Sequence, residues 1–222
     1  MSFSDELRTR TAATWEAATG HRFVDELRAG TVDDAVLARY LAQDALFLDR
    51  FVALLGEAVA AADNTPARMA IARQLGLVAG DEDDYFARAL ARLGVTTPPV
   101  PLPPTRGFLD LMDDARRSGA YGCVLTVLLV AEWLYLDWAA RPEPSPRDWL
   151  HREWIDLHRG SAFAAWVELL RIETDRVAAA TDDAGRESMA GVFTRAVELE
   201  LAFFESAYEA DEAGQTGQAA AG

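Results

Sequence analysis

The stretch Tyr121-Gly-Cys-Val-Leu-Thr-Val-Leu-Leu-Val-Ala-Glu132-Trp-Leu-Tyr-Leu-Asp-Trp-Ala-Ala140 decides the fold. It is apolar nearly all round, so a helix formed by it has no solvent face and must be enclosed by its neighbours. A bilayer span needs roughly 20 apolar residues. The run from Cys123 to Leu136 falls short of that and contains a carboxylate, Glu132, which makes it a buried core helix. No run of alternating β-branched residues competes with helix anywhere in the chain, and alanine, leucine and arginine are abundant. The expected class is all-α.

Working outward, a first helix is predicted over Ser4 to Thr19. Gly30 separates a short segment from a long helix capped by Thr31, with Asp34 completing a variant capping box, that continues to about Ala62. Asn64-Thr65-Pro66 breaks the chain and restarts it, and the next helix ends near Leu93. Thr96 to Pro104 holds five prolines in nine residues and reads as an extended connector between two helical halves of one core. Later helices are expected over Thr105 to Ser118, Tyr121 to Ala140, Pro146 to Ala180 with a break near Gly160, and Ala184 to Ala210, with a loop from Pro142 to Pro146. From Asp211 onward nothing can be buried, so one helical domain over residues 1–210 is followed by a flexible tail at 211–222.

Net charge is -15, which repels phosphate backbones and anionic membranes, so neither nucleic acid nor membrane is an expected partner. All 21 basic residues are arginine, and the absence of lysine removes Schiff-base chemistry and the lysine of phosphate-binding loops. The lone Cys123 cannot form an internal disulfide, and the N-terminus lacks the regions of a signal peptide. A reducing cytoplasm is the expected compartment.

Three carboxylates sit where leucines belong. Asp44 falls on the stripe of Leu37, Tyr40, Leu41, Leu48, Phe51 and Leu55; Glu132 lies inside the apolar run; Glu200 lies on the stripe of Met189, Val192, Phe193, Ala196, Phe203 and Phe204. Burying an ionised carboxylate costs several kcal/mol unless it is paired or hydrogen-bonded. One acid of this kind is ordinarily satisfied by a nearby arginine or tyrosine; three on separate helices point to a shared polar pocket. Acids beside aromatics are also where raised carboxyl pKa values, useful for proton transfer, are found.

Tyr40-Leu-Ala-Gln-Asp44-Ala-Leu-Phe47, Ala131-Glu132-Trp133-Leu134-Tyr135 and Glu200-Leu-Ala-Phe-Phe-Glu-Ser-Ala-Tyr208 resemble three motifs of the TenA (thiaminase II) family, in order and spacing. The resemblance implies a haem-oxygenase-like helical fold. It makes Asp44 the aspartate that hydrogen-bonds the pyrimidine's amino group and ring nitrogen, and Glu200 the catalytic glutamate at the opposite ring nitrogen. Tyr135 matches the tyrosine four residues after the usual cysteine nucleophile, whose place is taken by Ala131. Members without that cysteine carry a glutamate one position later, where Glu132 stands, so the chain looks like the glutamate type. Phe47, Phe108 and His158 stand where many cysteine-type members have tyrosines.

The expected activity is therefore hydrolysis in thiamin salvage, of formylaminopyrimidine, aminopyrimidine or both. Glu132 and Glu200 would be catalytic; Asp44, Phe47, Phe108, Tyr135 and His158 would bind substrate. A homo-oligomer, tetramer or dimer, is implied by the resemblance. No cofactor is expected. No metal is expected either, because His21, His151 and His158 lack the Glu-x-x-His spacing of two-metal bundles, and Asp148, three before His151, reads as a helix cap. A non-catalytic pyrimidine-binding or regulatory protein, or a related enzyme acting on another amine, are the alternatives.

Overall fold

The computed structural model describes residues 1–97, 99–142 and 146–209, which form eleven α-helices and no strand. The expected tail at 211–222 lies outside the described residues, as do Pro98, Glu143 to Ser145 and Ala210. Helices α1 (Phe3–Arg10) and α2 (Ala12–Thr19) replace the single helix predicted over Ser4 to Thr19. They part at Thr11, which leaves helical geometry at φ -101°, ψ 12° while its hydroxyl donates to the Leu7 carbonyl at 3.1 Å. A threonine that bonds back to the preceding turn in this way competes with the regular ladder.

Helix α3 (Arg22–Ala29) ends on Gly30, held at φ 70° in the left-handed region that glycine enters without strain. There the Gly30 amide donates to the Leu27 carbonyl and the Thr31 amide to the Glu26 carbonyl, a paired closure that satisfies the last carbonyls of α3. Thr31 thus finishes one helix rather than starting the next. The cap of α4 (Asp34–Ala61) is Asp33, whose Oδ1 accepts from the Ala35 amide at 2.8 Å.

Asn64 caps α5 (Thr65–Leu77) through the Ala67 amide at 2.9 Å, with Pro66 in the first turn. The chain then widens into a five-residue π-helical turn, Val78–Glu82, before α6 (Asp83–Arg92). The proline-rich connector leads into α7, which starts at Pro103 rather than Thr105 and runs to Ser118. Helix α8 (Tyr121–Ala139) follows, then α9 (Trp149–Leu157), capped by Asp148, and α10 (Ser161–Ala180). Asp182 caps α11 (Asp183–Ser206).

Helix α8 is the axis around which the rest is assembled. It packs against α2, α4, α7, α10 and α11, and Leu125, Leu128, Leu129, Leu134 and Trp138 lose all contact with solvent. By length and composition α8 could cross a membrane, but most of it is buried inside the protein, as its enclosing neighbours require. Each buried leucine of this kind contributes on the order of 2 kcal/mol. Helix α2 is fixed to α8 and α11 by one side chain: the Trp15 indole donates to Asp137 at 2.8 Å and stacks on Phe193.

Candidate active site

Because α4, α8 and α11 meet lengthwise, residues on their facing stripes share one space. Asp44 from α4, Glu132 from α8 and Glu200 from α11 all line the same cavity, one with about 500 Å³ of empty space counting its open mouth. Phe47, Phe51, Phe108, Tyr135, Trp154, His158 and Phe203 form its aromatic walls, and Ala131 leaves room beside Glu132. All seven residues singled out from the sequence, Asp44, Phe47, Phe108, Glu132, Tyr135, His158 and Glu200, are lining residues.

The electrostatics separate these acids from an ordinary buried carboxylate. Glu173 on α10 is also buried, but Arg176, Asn64 and Tyr121 donate to it, and Arg176 holds its carboxyl below the usual range. Among the described residues no arginine lines the cavity. Asp44, Glu132 and Glu200 are 8%, 5% and 4% exposed, and the buried Asp44 Oδ2 and Glu132 Oε1 meet no hydrogen-bond partner. Burial pushes Asp44 up to about 7, with the Tyr40 hydroxyl opposing, and pushes Glu132 up to about 7, with Trp166 opposing. Glu200 rises well above the carboxylate range, first from burial and then from the charge of Asp44. Like charges this close cannot all ionise, so the cavity holds protons at neutral pH.

The walls fix the geometry. Tyr40 and Tyr135 share a hydrogen bond between hydroxyls at 2.7 Å, which ties α4 to α8 behind Asp44. His158 Nδ1 bonds the Trp154 carbonyl at 2.8 Å; a carbonyl can only accept, so Nδ1 carries the hydrogen and Nε2 keeps its lone pair. Burial holds His158 neutral by lowering it to about 4. Phe47 and Phe108 meet edge to face at 5.1 Å, a stable frame for one side of a flat ring. Helix α7 brings Phe108 in because Gly107 lets it approach α11: a β-carbon there would lie 2.8 Å from Leu199 Cδ2. Cys123 is buried and is not a lining residue.

Four lining residues carry no expectation from the sequence as site residues: Phe51, Glu82, Trp154 and Phe203. Phe51 and Phe203 lie on the apolar stripes that led to Asp44 and Glu200, so a closer reading of those faces reaches them. Trp154 reads as a core filler and is indeed buried, yet one ring face borders the cavity. Glu82 sits in the run Asp81-Glu82-Asp83-Asp84, which looks like a solvated helix start; only the π-helical turn turns it inward. Among the described residues no group of three His, Cys, Asp or Glu side chains is arranged to hold a metal ion.

A helical bundle that closes acids and aromatic rings around a small-molecule cavity is the class this fold and site define. The TENA/THI-4/PQQC family model matches residues 8–210, and the chain belongs to that family. Similar proteins include aminopyrimidine aminohydrolases of Bacillus subtilis, 27% identical over 94% of this chain and 90% of that protein, and of Halalkalibacterium halodurans, 21% identical over 94% and 96%. A TenA homologue from Pyrococcus furiosus has a similar fold, with a TM-score of 0.82 at 19% identity, covering 93% of this chain and all of that one.

Proposed function

We propose that the protein is a hydrolase of thiamin salvage that acts on aminopyrimidine, formylaminopyrimidine or both, as a glutamate-type member of its family lacking the cysteine nucleophile. The observation that carries the reading is one cavity lined by Asp44, Glu132 and Glu200 with, among the described residues, no arginine, and with Ala131 in the nucleophile's place. The two aminohydrolase relatives, alike over most of their length, agree with it.

The chemistry follows from the proton states. An alanine cannot add to a pyrimidine, so the bond is cleaved by water rather than through a covalent adduct. Glu132, ionising near 7, takes the proton of that water. Asp44 orients the ring through its amino group and ring nitrogen, and Glu200, kept protonated, supplies or recovers the proton at the opposite ring nitrogen. Phe47, Phe108 and Tyr135 hold the ring between them, and neutral His158 offers an acceptor at the wall. The protein would work in a reducing cytoplasm as a homo-oligomer, a dimer or tetramer, which light scattering after gel filtration tests.

Purified protein incubated with formylaminopyrimidine, aminopyrimidine and thiamin, each followed by chromatography, tests the reading. Hydroxymethylpyrimidine or aminopyrimidine should accumulate from the first two while thiamin stays largely intact. Tight binding of these pyrimidines without turnover of any would replace the hydrolase with a pyrimidine-binding protein.

A further inference from the structure

The mechanism above leaves one nitrogen without a partner. Asp44 and Glu200 attend to the ring and Glu132 to the water, but the arm's amine has to depart as ammonia. The cavity adjoins an outer cleft between the π-helical turn, α9 and the start of α10, and the two spaces share two lining residues, Glu82 and His158. Glu82 closes the π-helical turn, is half-buried, and has no hydrogen-bond or ion-pair partner among the described residues. Single π-helical turns inside α-helices are frequent at functional sites because they re-aim one side chain.

Building on the hydrolase reading, we propose that Glu82 binds the amine of the substrate's arm and protonates it, so that it leaves as ammonia through the outer cleft. An ammonium group in the cavity meets a neutral histidine and, among the described residues, no arginine, while Arg159 in the outer cleft is already paired with Asp156 at 2.7 Å, so a carboxylate at the throat is its natural counter-ion. Burial, together with the facing charges of Glu132 and Asp44, raises Glu82 well above the carboxylate range, so it stands protonated until a neutral amine takes that proton and leaves ammonium and carboxylate paired. In the step itself water forms the C–O bond and yields a proton to Glu132. The C–N bond of the ammonium breaks with its electron pair on nitrogen, so ammonia departs with the proton taken from Glu82 as its third hydrogen. The proton gained by Glu132 balances the one lost by Glu82, and both return to their starting states when Glu132 gives up a proton to solvent and Glu82 takes one back through the cleft.

Calorimetric titration of the full chain with two pyrimidines, one ending its arm in an amine and the other in a hydroxyl, separates this role from a structural one. Glu82→Gln should lose about tenfold or more in affinity for the amine, as expected when one partner of a partly desolvated charge pair is removed. Its affinity for the alcohol should stay within about twofold of the parent, since an uncharged arm makes no ion pair. Glu82→Asp should recover part of the loss. Parallel changes for both ligands, or an unchanged amine affinity, overturn the assignment. Should Glu82→Gln bind neither ligand, the amine-to-alcohol ratio of Glu82→Asp decides in its place. Wild-type protein that binds neither pyrimidine overturns the hydrolase reading, and the role of Glu82 with it.

Discussion

Asp44 and Glu132 are set to nearly the same proton affinity, yet the reading gives them different tasks, and conservative substitutions separate the two. Glu132→Gln keeps the shape and removes the base, so kcat should fall by about 100-fold or more while pyrimidine affinity holds within a few fold. Steady-state kinetics check this, and unchanged turnover rejects the role. Asp44→Asn should weaken binding instead, and calorimetry with aminopyrimidine reporting equal affinity for both proteins would count against it. Since a base works only when ionised, kcat/KM should rise with pH through about 7, where Glu132 loses its proton, and the rise should vanish in Glu132→Gln. These acids were legible in the sequence because each interrupts an apolar stripe, a contradiction visible without coordinates. Glu82 was not: surrounded by other acids it contradicts nothing, and only the widened turn reveals where it points.

At the scale of elements, the opening of α4 distinguishes two readings of the same residues. Asp33→Ala removes the side-chain acceptor of the Ala35 amide and should cost about 1 kcal/mol in urea unfolding. Thr31→Ala should cost less, because alanine keeps the 2.8 Å backbone bond to the Glu26 carbonyl and loses only a long, exposed hydroxyl contact of 3.4 Å to the same oxygen. A larger loss at Thr31 would restore it as the cap. Spacing alone could not choose between them, since threonine and aspartate both cap well and the choice rests on where the left-handed Gly30 lets the chain turn. The break at Thr11 was hidden for a related reason, its hydroxyl bonding to the preceding turn within an unbroken helical pattern. Helix α8, by contrast, was fully legible, since a helix without a polar face has only one place to go. Leu128→Ala in its centre should destabilise by about 2–5 kcal/mol, measured by the same unfolding.

For the whole molecule, the enclosed acids couple function to stability. Asp44 and Glu132 ionise near 7 when folded and near 4 when unfolded, so their neutral forms favour folding most fully below about pH 4. That contribution fades as pH climbs from about 4 through 7, by as much as roughly 4 kcal/mol for each group. A doubly substituted Asp44→Asn, Glu132→Gln protein, fixed in the neutral form, should therefore melt above the parent at pH 8 and match it near pH 4. Identical melting at pH 8 would mean that water reaches these groups far better than their exposure implies.

The want of any arginine among the described residues of the cavity wall also bears on which form of a pyrimidine can enter. A pyrimidine already bearing phosphate would bring two negative charges into a chamber that offers only acids and a neutral imidazole, and would be turned away. On the hydrolase reading, the pyrimidine that this protein takes is therefore the unphosphorylated one.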